Sequence, residues 1–379
     1  MPIELINLTK TYGDLVAVNN LSVTFDDRSL NVLIGPSGCG KTTVLKTLNR
    51  LLPITSGDIR YDGISIHDID PIELRRSIGY VIQEIGLFPH LTIFENIAVV
   101  PRLLHWSEKR IADRVDELLD LVNIDPGAYA DKYPAQLSGG QRQRVGVARG
   151  LAADPKILLM DEPFGAIDPI NRETLQDSFL EIQREIQKTI VFVTHDIREA
   201  VKLGDRIAIL QDGKLIQYDE TMKILNNPVN EFVEDLLGSD RALKGLELLR
   251  VEDNYDLSCF TIESDGTRNA GWGIGQLEAE GRAFGFVKDR DNRLLGYVLL
   301  RELQRGASDR PLHEFLHTAT AIRPMSTLME AVAMMLTSGI TSAPVVDKRN
   351  RILGVVRFRE VFQKVSEVAD AAGDPERIP

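Results

Sequence analysis

The sequence predicts an α/β protein in which a larger domain precedes a smaller, internally repeated one. Up to about residue 238, short apolar and β-branched runs alternate with longer amphipathic segments, as in α/β domains. A glycine-rich segment at 35–42 lies between an apolar run and a helical pattern, which indicates a strand, a loop and a helix in succession. Farther on, the sequence 284–303 recurs in similar form at 342–361. We therefore expect two kinds of domain in one chain.

Composition narrows the class of protein. The chain has 379 residues, 43% of them hydrophobic and 26% charged, which excludes a single small module and a disordered chain. The net charge of −12 argues against a broad nucleic-acid-binding surface. No apolar run approaches the roughly 18 residues of a membrane-spanning helix, and residues 1–10 lack the pattern of a secretory signal. We expect an intracellular protein whose cysteines, Cys39 and Cys259, are reduced.

Local patterns predict individual elements of the first domain. Apolar residues recur at helical spacing in 107–122, behind a serine that can cap the helix, and again in 172–188. The apolar runs 156–160 and 189–194 predict two buried strands. A tight hairpin is expected at Asp212-Gly213, because an apolar run lies on each side of this turn sequence.

The segment at 35–42 fits the pattern G-x-x-x-x-G-K-[ST]. In this pattern glycines turn backbone N–H groups toward phosphate oxygens, and the following helix presents its positive N-terminus. Lys41 would reach the β- and γ-phosphates, and the Thr42 hydroxyl would ligate Mg²⁺. A chance match in a glycine-rich turn is the alternative, but the flanking strand and helix favour a phosphate-binding loop. The residues concerned are Gly35, Pro36, Ser37, Gly38, Cys39, Gly40, Lys41 and Thr42.

A second chemical feature is the apolar run 157–160, which ends in Asp161 and Glu162. Taken alone, carboxylates at the end of a strand are usually just solvated. Downstream of a phosphate-binding loop, they predict that Asp161 holds Mg²⁺, directly or through water, and that Glu162 polarises the water attacking the γ-phosphate. The two features together indicate a nucleotide hydrolase.

The segment 137–141, with the sequence LSGGQ, resembles the signature of ATP-binding cassette (ABC) ATPases. The resemblance covers residues 1–238. It implies a P-loop ABC ATPase domain with a RecA-like core, an antiparallel β subdomain and a helical subdomain, and it implies ATP and Mg²⁺ as cofactors. It also implies that Tyr12 stacks on adenine and that Thr43 binds nucleotide. Gln83 would be the Q-loop residue, which serves catalysis and binds Mg²⁺. Asp168 would be the nucleotide-site residue of the D-loop, and His195 the catalytic switch histidine.

The family mechanism implies a second cassette. Ser138, Gly139, Gly140 and Gln141 lie at the start of a helix expected over 141–152, and they would offer its positive end to the γ-phosphate. Because the chain's own phosphate loop already surrounds the nucleotide, this helix end must come from another copy or a paralogue. We therefore expect a homodimer or a paired cassette that closes on ATP binding.

The segments 73–93 and 99–106 look like those of the ATPase subunits of importers for glycine betaine, choline, carnitine or proline betaine. This resemblance implies integral membrane permease subunits as partners, indirect contact with an extracytoplasmic substrate-binding protein, and no nucleic acid. It places the chain peripherally on the cytoplasmic side of the cell inner membrane. Phe88, Pro89 and Leu91 would form an apolar docking cleft for the permease, with local packing beneath the loop as the alternative.

The repeat resembles a tandem CBS module. The expected division is 1–238 for the ATP-binding domain, 239–307 for a degenerate first repeat, 308–368 for the second repeat and 369–379 for a polar tail. Three glycines in 269–275 weaken the corresponding helix of the first repeat, so we expect an irregular backbone there. Leu299 and Arg357 stand where many CBS halves carry a Ser or Thr for adenosine ribose, which argues against ordinary adenine-nucleotide binding.

Several alternatives remain open from the sequence. The repeated module either senses ionic strength or a cyclic dinucleotide, or serves as a dimerisation scaffold. The exposed charges that would respond to ionic strength are Lys348, Arg349, Arg351, Arg357 and Arg359. The chain as a whole could energise import of another small solute, or act as a soluble ABC-type ATPase such as a nucleic-acid or translation factor. Acidic charge, a single cassette and the docking segment argue against the last function.

Overall fold

The computed structural model describes residues 1–82, 86–165, 167–264 and 266–370, without the side chains of 169–171 and 365–370. Gln83 lies outside this range, as does most of the expected polar tail, from residue 371 onward. The chain divides into two units, Met1–Gly238 and Ser239–Pro379. Within the described residues, no helix has the length and apolar character needed to cross a membrane.

The first unit alternates strands and helices throughout its length. Its strands are β1 (Ile3–Tyr12), β2 (Leu15–Phe25), β3 (Leu30–Ile34), β4 (Ser56–Tyr61), β5 (Ile64–Ser65), β6 (Ile78–Val81), β7 (Ile157–Asp161), β8 (Thr189–Val193), β9 (Arg206–Gln211) and β10 (Lys214–Glu220). Its helices are α1 (Lys41–Leu48), α2 (Pro71–Ser77), α3 (Ile93–Leu103), α4 (Glu108–Leu121), α5 (Pro126–Tyr129), α6 (Gly139–Leu151), α7 (Pro169–Ile186), α8 (Ile197–Leu203), α9 (Thr221–Asn226) and α10 (Glu231–Leu237).

A mostly parallel sheet forms the centre of the first unit, in the order β10-β9-β3-β8-β7-β6. Every residue of β3, β7 and β8 is buried, which explains why these strands are continuous apolar runs in the sequence. Leu33 of β3 and Asp161 of β7 both pair with Val193 of β8, so the three strands end at the same edge. The loops that follow them are therefore brought together.

Two further layers complete the first unit. An antiparallel sheet has the order β2-β1-β4-β5, and α1 contacts both this sheet and the central one. The helices α3, α4 and α6 pack on one another through buried residues such as Ile97, Leu118 and Val145. The expected α/β class with antiparallel and helical subdomains is confirmed. The predicted helix over 107–122 is also confirmed, with Ser107 as its N-cap.

The second unit contains two similar halves. Its elements are α11 (Arg241–Leu248), β11 (Thr261–Glu263), α12 (Ala270–Ala279), β12 (Phe284–Lys288), β13 (Leu294–Leu299), α13 (Leu300–Arg305), α14 (Leu328–Ser338), β14 (Ser342–Val346), β15 (Ile352–Arg357) and α15 (Phe358–Asp370). The sheets are β11-β12-β13 in the first half and β14-β15 in the second. Phe286 and Leu294 of one half pack with Val346 and Ile352 of the other in a shared apolar cluster.

The expectation of an irregular backbone at 269–275 was wrong, because α12 is a regular helix. The Asn269 side chain caps it by accepting a hydrogen bond from the Trp272 N–H at 3.0 Å. A Cβ on Gly273 would lie 2.8 Å from Leu312 Cδ1. The glycine therefore permits a close approach to the neighbouring segment, and this packing offsets its low helix propensity.

The repeated sequence forms two hairpin turns that bind each other reciprocally. The Asn292 side-chain N–H donates to the Ile352 carbonyl, and the Asn350 side-chain N–H donates to the Leu294 carbonyl, both at 2.9 Å. Both asparagines have a φ of 64°, a left-handed conformation that asparagine tolerates better than most residues. Each repeat therefore contributes one asparagine, and the two asparagine side chains join the turns of the two repeats.

Replacing Asn292 by Ala should remove this side-chain donor and place an unfavourable residue in the left-handed conformation. We expect a loss of about 2 kcal/mol in the free energy of unfolding of the second unit. A Trp106→Phe background leaves Trp272 as the single tryptophan, so its fluorescence during urea unfolding reports this unit. Asp291→Ala, at the exposed neighbouring position, is the matched control. Equal urea midpoints for the two variants would contradict a stabilising role for the Asn292 hydrogen bond.

Candidate functional site

The loop between β3 and α1 depends on glycine at two close backbone contacts. Gly35 has a φ of 154° and Gly40 a φ of 103°. A Cβ on Gly35 would lie 2.1 Å from the Leu210 carbonyl oxygen, and one on Gly40 would lie 2.4 Å from the Ala17 carbonyl oxygen. Both distances are well inside van der Waals contact, so no other residue fits. The neighbouring strands β2 and β9 thus hold the loop in its shape.

Lys41, at the first position of α1, folds back across this loop. Its ammonium donates to the carbonyls of Gly35 at 2.7 Å and Pro36 at 2.9 Å, and the side chain is buried. Cys39 is a free, buried thiol in the same loop, and burial raises its pKa. The loop therefore contains a fixed positive charge and no reactive thiolate at neutral pH.

Thr42 and Asp161 are joined at the ends of α1 and β7. The Thr42 hydroxyl donates to Asp161 Oδ1 at 3.1 Å. Burial raises the pKa of Asp161, and the hydrogen bond from Thr42 opposes this effect. A hydroxyl and a carboxylate side by side are hard oxygen donors of the kind that Mg²⁺ prefers, together with substrate phosphates. Two of the three residues expected to ligate the metal are thus brought together and fit that ion, and the third, Gln83, lies outside the described residues.

Glu162 and His195 face each other across the ends of β7 and β8. Glu162 Oε2 lies 3.1 Å from His195 Nδ1, and the Glu162 N–H donates to the Val193 carbonyl at 3.0 Å. Glu162 has a φ of 43°, an uncommon conformation for this residue type that turns the chain at the edge of the sheet. The histidine is thereby placed to orient the carboxylate.

Lys41, Thr42, Glu162 and His195 line one cleft of about 830 Å³, which is large enough for a nucleoside triphosphate. Tyr12 lines it with an exposed ring, and the Lys10 ammonium lies 4.9 Å from the ring centroid. Leu15, Ala17 and Leu236 also line the cleft, although no sequence motif marks these three residues. The described lining is Tyr12, Leu15, Ala17, Gly35, Pro36, Ser37, Gly38, Gly40, Lys41, Thr42, Thr43, Glu162, His195 and Leu236.

The predicted signature residues lie elsewhere. Ser138 is the N-cap of α6, whose first residue is Gly139, and it forms a capping box with Gln141. Ser138 and Gly139 are exposed, and so is Asp168. Within the part of the chain that the structure describes, none of them lines the cleft. One copy therefore presents two separate surfaces, the cleft and the capped helix end.

Comparison with known proteins decides the family. A family model for ABC transporters matches residues 18–165, and one for CBS domains matches residues 316–367. The glycine betaine/carnitine/choline transport ATP-binding protein OpuCA of Bacillus subtilis (strain 168) is 44% identical over 359 residues, which is 93% of each chain. The osmoprotectant import ATP-binding protein OsmV of Salmonella typhimurium is 43% identical over 362 residues, which is 93% of this chain and 94% of OsmV.

This chain belongs to the family of osmoprotectant ABC importer ATP-binding proteins. Among solved structures, the dimeric MJ0796, a bacterial ABC transporter cassette, matches with 36% identity and a TM-score of 0.52. That match covers 58% of this chain and 98% of the cassette. A second structure of the MJ0796 cassette, bound to ADP and Pi after hydrolysis, has a TM-score of 0.51. The predicted family membership is confirmed.

The segment after residue 85 lies on the surface of this family member. Phe88 and Pro89 are exposed, whereas Leu91 is half-buried. The buried Asn96 amide holds the segment by donating to the carbonyls of Phe88 and Leu91, each at 3.1 Å, while its oxygen accepts from the Phe88 N–H. Phe88 and Pro89 thus keep exposed surface, although the Phe88 ring also contacts Arg149 and His90. The expected role of Gln83 falls outside the described residues.

Arg357 in the second unit is not the exposed charge that we expected. Its guanidinium donates to Asp256 at 2.5 Å and to Glu360 at 2.7 Å, and also to the Ser258 carbonyl. The hydrogen bonds that Asp256 accepts from Ser258 and Arg357 lower the pKa of this carboxyl well below its usual value. Arg357 is therefore hydrogen-bonded to Asp256, Glu360 and Ser258 and is not an isolated exposed charge.

Replacing Asp161 by Asn should raise the stability of the chain and lower its ATP hydrolysis. Because burial raises the pKa of Asp161, the ionised carboxylate is less favourable in the folded chain than in the unfolded chain. The neutral amide should therefore raise the free energy of unfolding at pH 7, and this gain should shrink as the pH falls toward the usual carboxyl pKa of 3.8.

If Asp161 ligates Mg²⁺ as predicted, the same change should lower Mg²⁺-dependent ATP hydrolysis by at least about 100-fold, since the amide is a poorer ligand for this ion. Thermal unfolding at several pH values and steady-state hydrolysis are the two measurements. Glu162→Gln, at a less buried carboxylate, is the control for stability. A lower melting temperature for the Asp161 variant at pH 7 would contradict this account.

Proposed function

We propose that the chain is the ATP-hydrolysing subunit that energises import of a quaternary-amine osmoprotectant through a partner permease. The observation that carries the hydrolase part is the convergence of Lys41, Thr42, Asp161, Glu162 and His195 at one edge of the central sheet. The names of the relatives support the cargo class, since they transport glycine betaine, choline or carnitine.

In this proposal each residue of the site has a separate role. Lys41 binds the β- and γ-phosphates, and Tyr12 stacks on the adenine ring. Thr42 and Asp161, with Gln83, would hold Mg²⁺, which when bound neutralises charge on the phosphates. Glu162 accepts the proton of the attacking water, and the 3.1 Å contact with His195 Nδ1 orients its carboxylate. Ser37, Gly38 and Thr43 complete the phosphate-binding loop.

The separate position of the signature supports a paired arrangement. The capped N-terminus of α6, with Ser138, Gly139, Gly140 and Gln141, carries partial positive charge that favours a phosphate. A second cassette would bring this helix end to the nucleotide of the first, and Asp168 would lie at the same junction. ATP binding then closes the pair, and hydrolysis releases it.

The exposed Phe88 and Pro89 support docking on a permease. Asn96 fixes the backbone beneath them, and Arg149 donates to the Gly86 carbonyl at 2.6 Å. A firmly held loop with an exposed aromatic ring is suited to receive a partner element. This arrangement would place the chain on the cytoplasmic side of the inner membrane, in indirect contact with an extracytoplasmic substrate-binding protein and not with nucleic acid.

A Glu162→Gln change should leave ATP affinity within about twofold and lower steady hydrolysis by at least about 100-fold, because the general base is lost while the phosphate contacts remain. Binding of a fluorescent ATP analogue and phosphate release are the measurements. The exposed Glu173→Gln on α7 is the matched control. Undiminished turnover in the Glu162 variant would overturn its assigned role.

Uptake by the reconstituted complex tests cargo and regulation in one experiment. With labelled glycine betaine, we expect saturable uptake that choline or carnitine inhibits and that the Glu162→Gln subunit does not support. If the second unit senses ionic strength, uptake should rise with salt for the full chain but not for a chain ending at Gly238.

Identical salt curves for the two chains would remove the sensing role and leave the dimerisation scaffold. ATP hydrolysis without uptake of any quaternary amine would contradict the cargo class and favour another small solute. Failure of the chain to co-purify with a multi-spanning membrane protein would favour a soluble ABC-type ATPase.

A further inference from the structure

The buried carboxylate of Glu199 lies behind the loop that carries His195. Glu199 is on α8 and is only 5% exposed. Its Oε2 accepts from the Thr194 hydroxyl at 2.6 Å, and its Oε1 accepts from the Gln176 side-chain N–H at 3.1 Å. Both of these donors are neutral and are themselves buried. Burying a carboxylate is unfavourable, so Glu199 depends on the hydrogen bonds that these two donors provide.

The contact with Thr194 fixes the residues on both sides of His195. The Thr194 hydroxyl donates to Glu199 and also accepts from the Asp196 N–H at 3.0 Å. The Thr194 N–H donates to the Leu33 carbonyl at 3.2 Å, which ties the residue to the end of β3. The His195 side chain is 64% exposed, so few contacts of its own restrain it. Its position opposite Glu162 must therefore depend on its two neighbours in sequence.

One face of α7 connects this loop to the loop of Asp168. Gln176, which binds Glu199, lies one helical turn after Arg172. The Arg172 guanidinium donates to the Ile167 carbonyl at 2.8 Å, next to Asp168, and lies 3.9 Å from the Asp196 carboxylate. The same helix thus contacts the loop before it and the loop that holds His195.

We propose that Glu199 is a positioning residue that acts through the Thr194 hydroxyl to hold His195 against Glu162. Gln176 and Arg172 on α7 connect this support to the loop at 167–168. The proposal rests on the function proposed above, because it concerns the same hydrolytic site. Glu199 contacts no reacting atom, and its effect on hydrolysis passes through the backbone at 194–196. Movement of the 167–168 loop would therefore alter the His195–Glu162 contact.

The test compares Thr194→Val with Thr194→Ser in the full chain. Val keeps the shape but lacks the hydroxyl, whereas Ser retains it. We expect Thr194→Val to lower kcat about tenfold, while KM for ATP stays within about twofold of the parental value. Thr194→Ser should keep most of the parental kcat. Thr221→Val is the matched control, since Thr221 is also buried and its hydroxyl donates to the Gly204 carbonyl. Parental kcat in Thr194→Val, or an equal loss in Thr194→Ser, would overturn the proposal.

A double-mutant cycle distinguishes positioning from a general loss of stability. If Thr194 acts through His195, adding Thr194→Val to His195→Ala should lower kcat no further than His195→Ala alone. Glu199→Ala should behave like Thr194→Val in the same cycle. Fully additive losses would contradict the proposal. If the parental chain hydrolyses no ATP, the proposed function itself fails. If it does hydrolyse ATP and the cycle is additive, only the positioning role fails.

Discussion

The parallel pairing of β3, β8 and β7 is the constraint on which the site depends. Val193 lies opposite both Leu33 and Asp161, so the three strands end at one level. Two further backbone hydrogen bonds, from Thr194 to Leu33 and from Glu162 to Val193, extend this alignment beyond the strands. A shift of one residue in either pairing would separate the phosphate loop from the carboxylates. The register of the strands thus determines which loops, and therefore which functional side chains, lie next to each other.

The second unit uses pairing of another kind. Its halves are similar in sequence, and each turn provides the asparagine that binds the other turn. The asparagine shared by the two repeats therefore serves a mutual contact as well as the left-handed turn in each half. The halves differ at the end of the repeated strand, where the second half has Arg357 bound to two carboxylates and the first half has the apolar Leu299. The two halves are therefore alike at the turns that join them and different at Leu299 and Arg357.

The sequence predicted the central strands and the cleft because both have strong local signals. Continuous apolar runs mark β7 and β8, and the phosphate loop has a fixed spacing. Leu236 could not be predicted, because α10 reaches the cleft only through tertiary packing. Glu199 resembles any helical acid until its burial is known. The helix α12 was misjudged because intrinsic propensity ignores the packing that glycine permits.

The hydrogen bonds of Lys41 to its own loop have an entropic consequence. A lysine side chain loses up to about 2 kcal/mol of rotamer freedom when it is fixed in one conformation. In this chain the folded loop already fixes it, through the carbonyls of Gly35 and Pro36. That loss accompanies folding, so it does not count against nucleotide affinity. In the proposed nucleotide complex, the ammonium would exchange these carbonyl acceptors for phosphate oxygens without a further loss of this size.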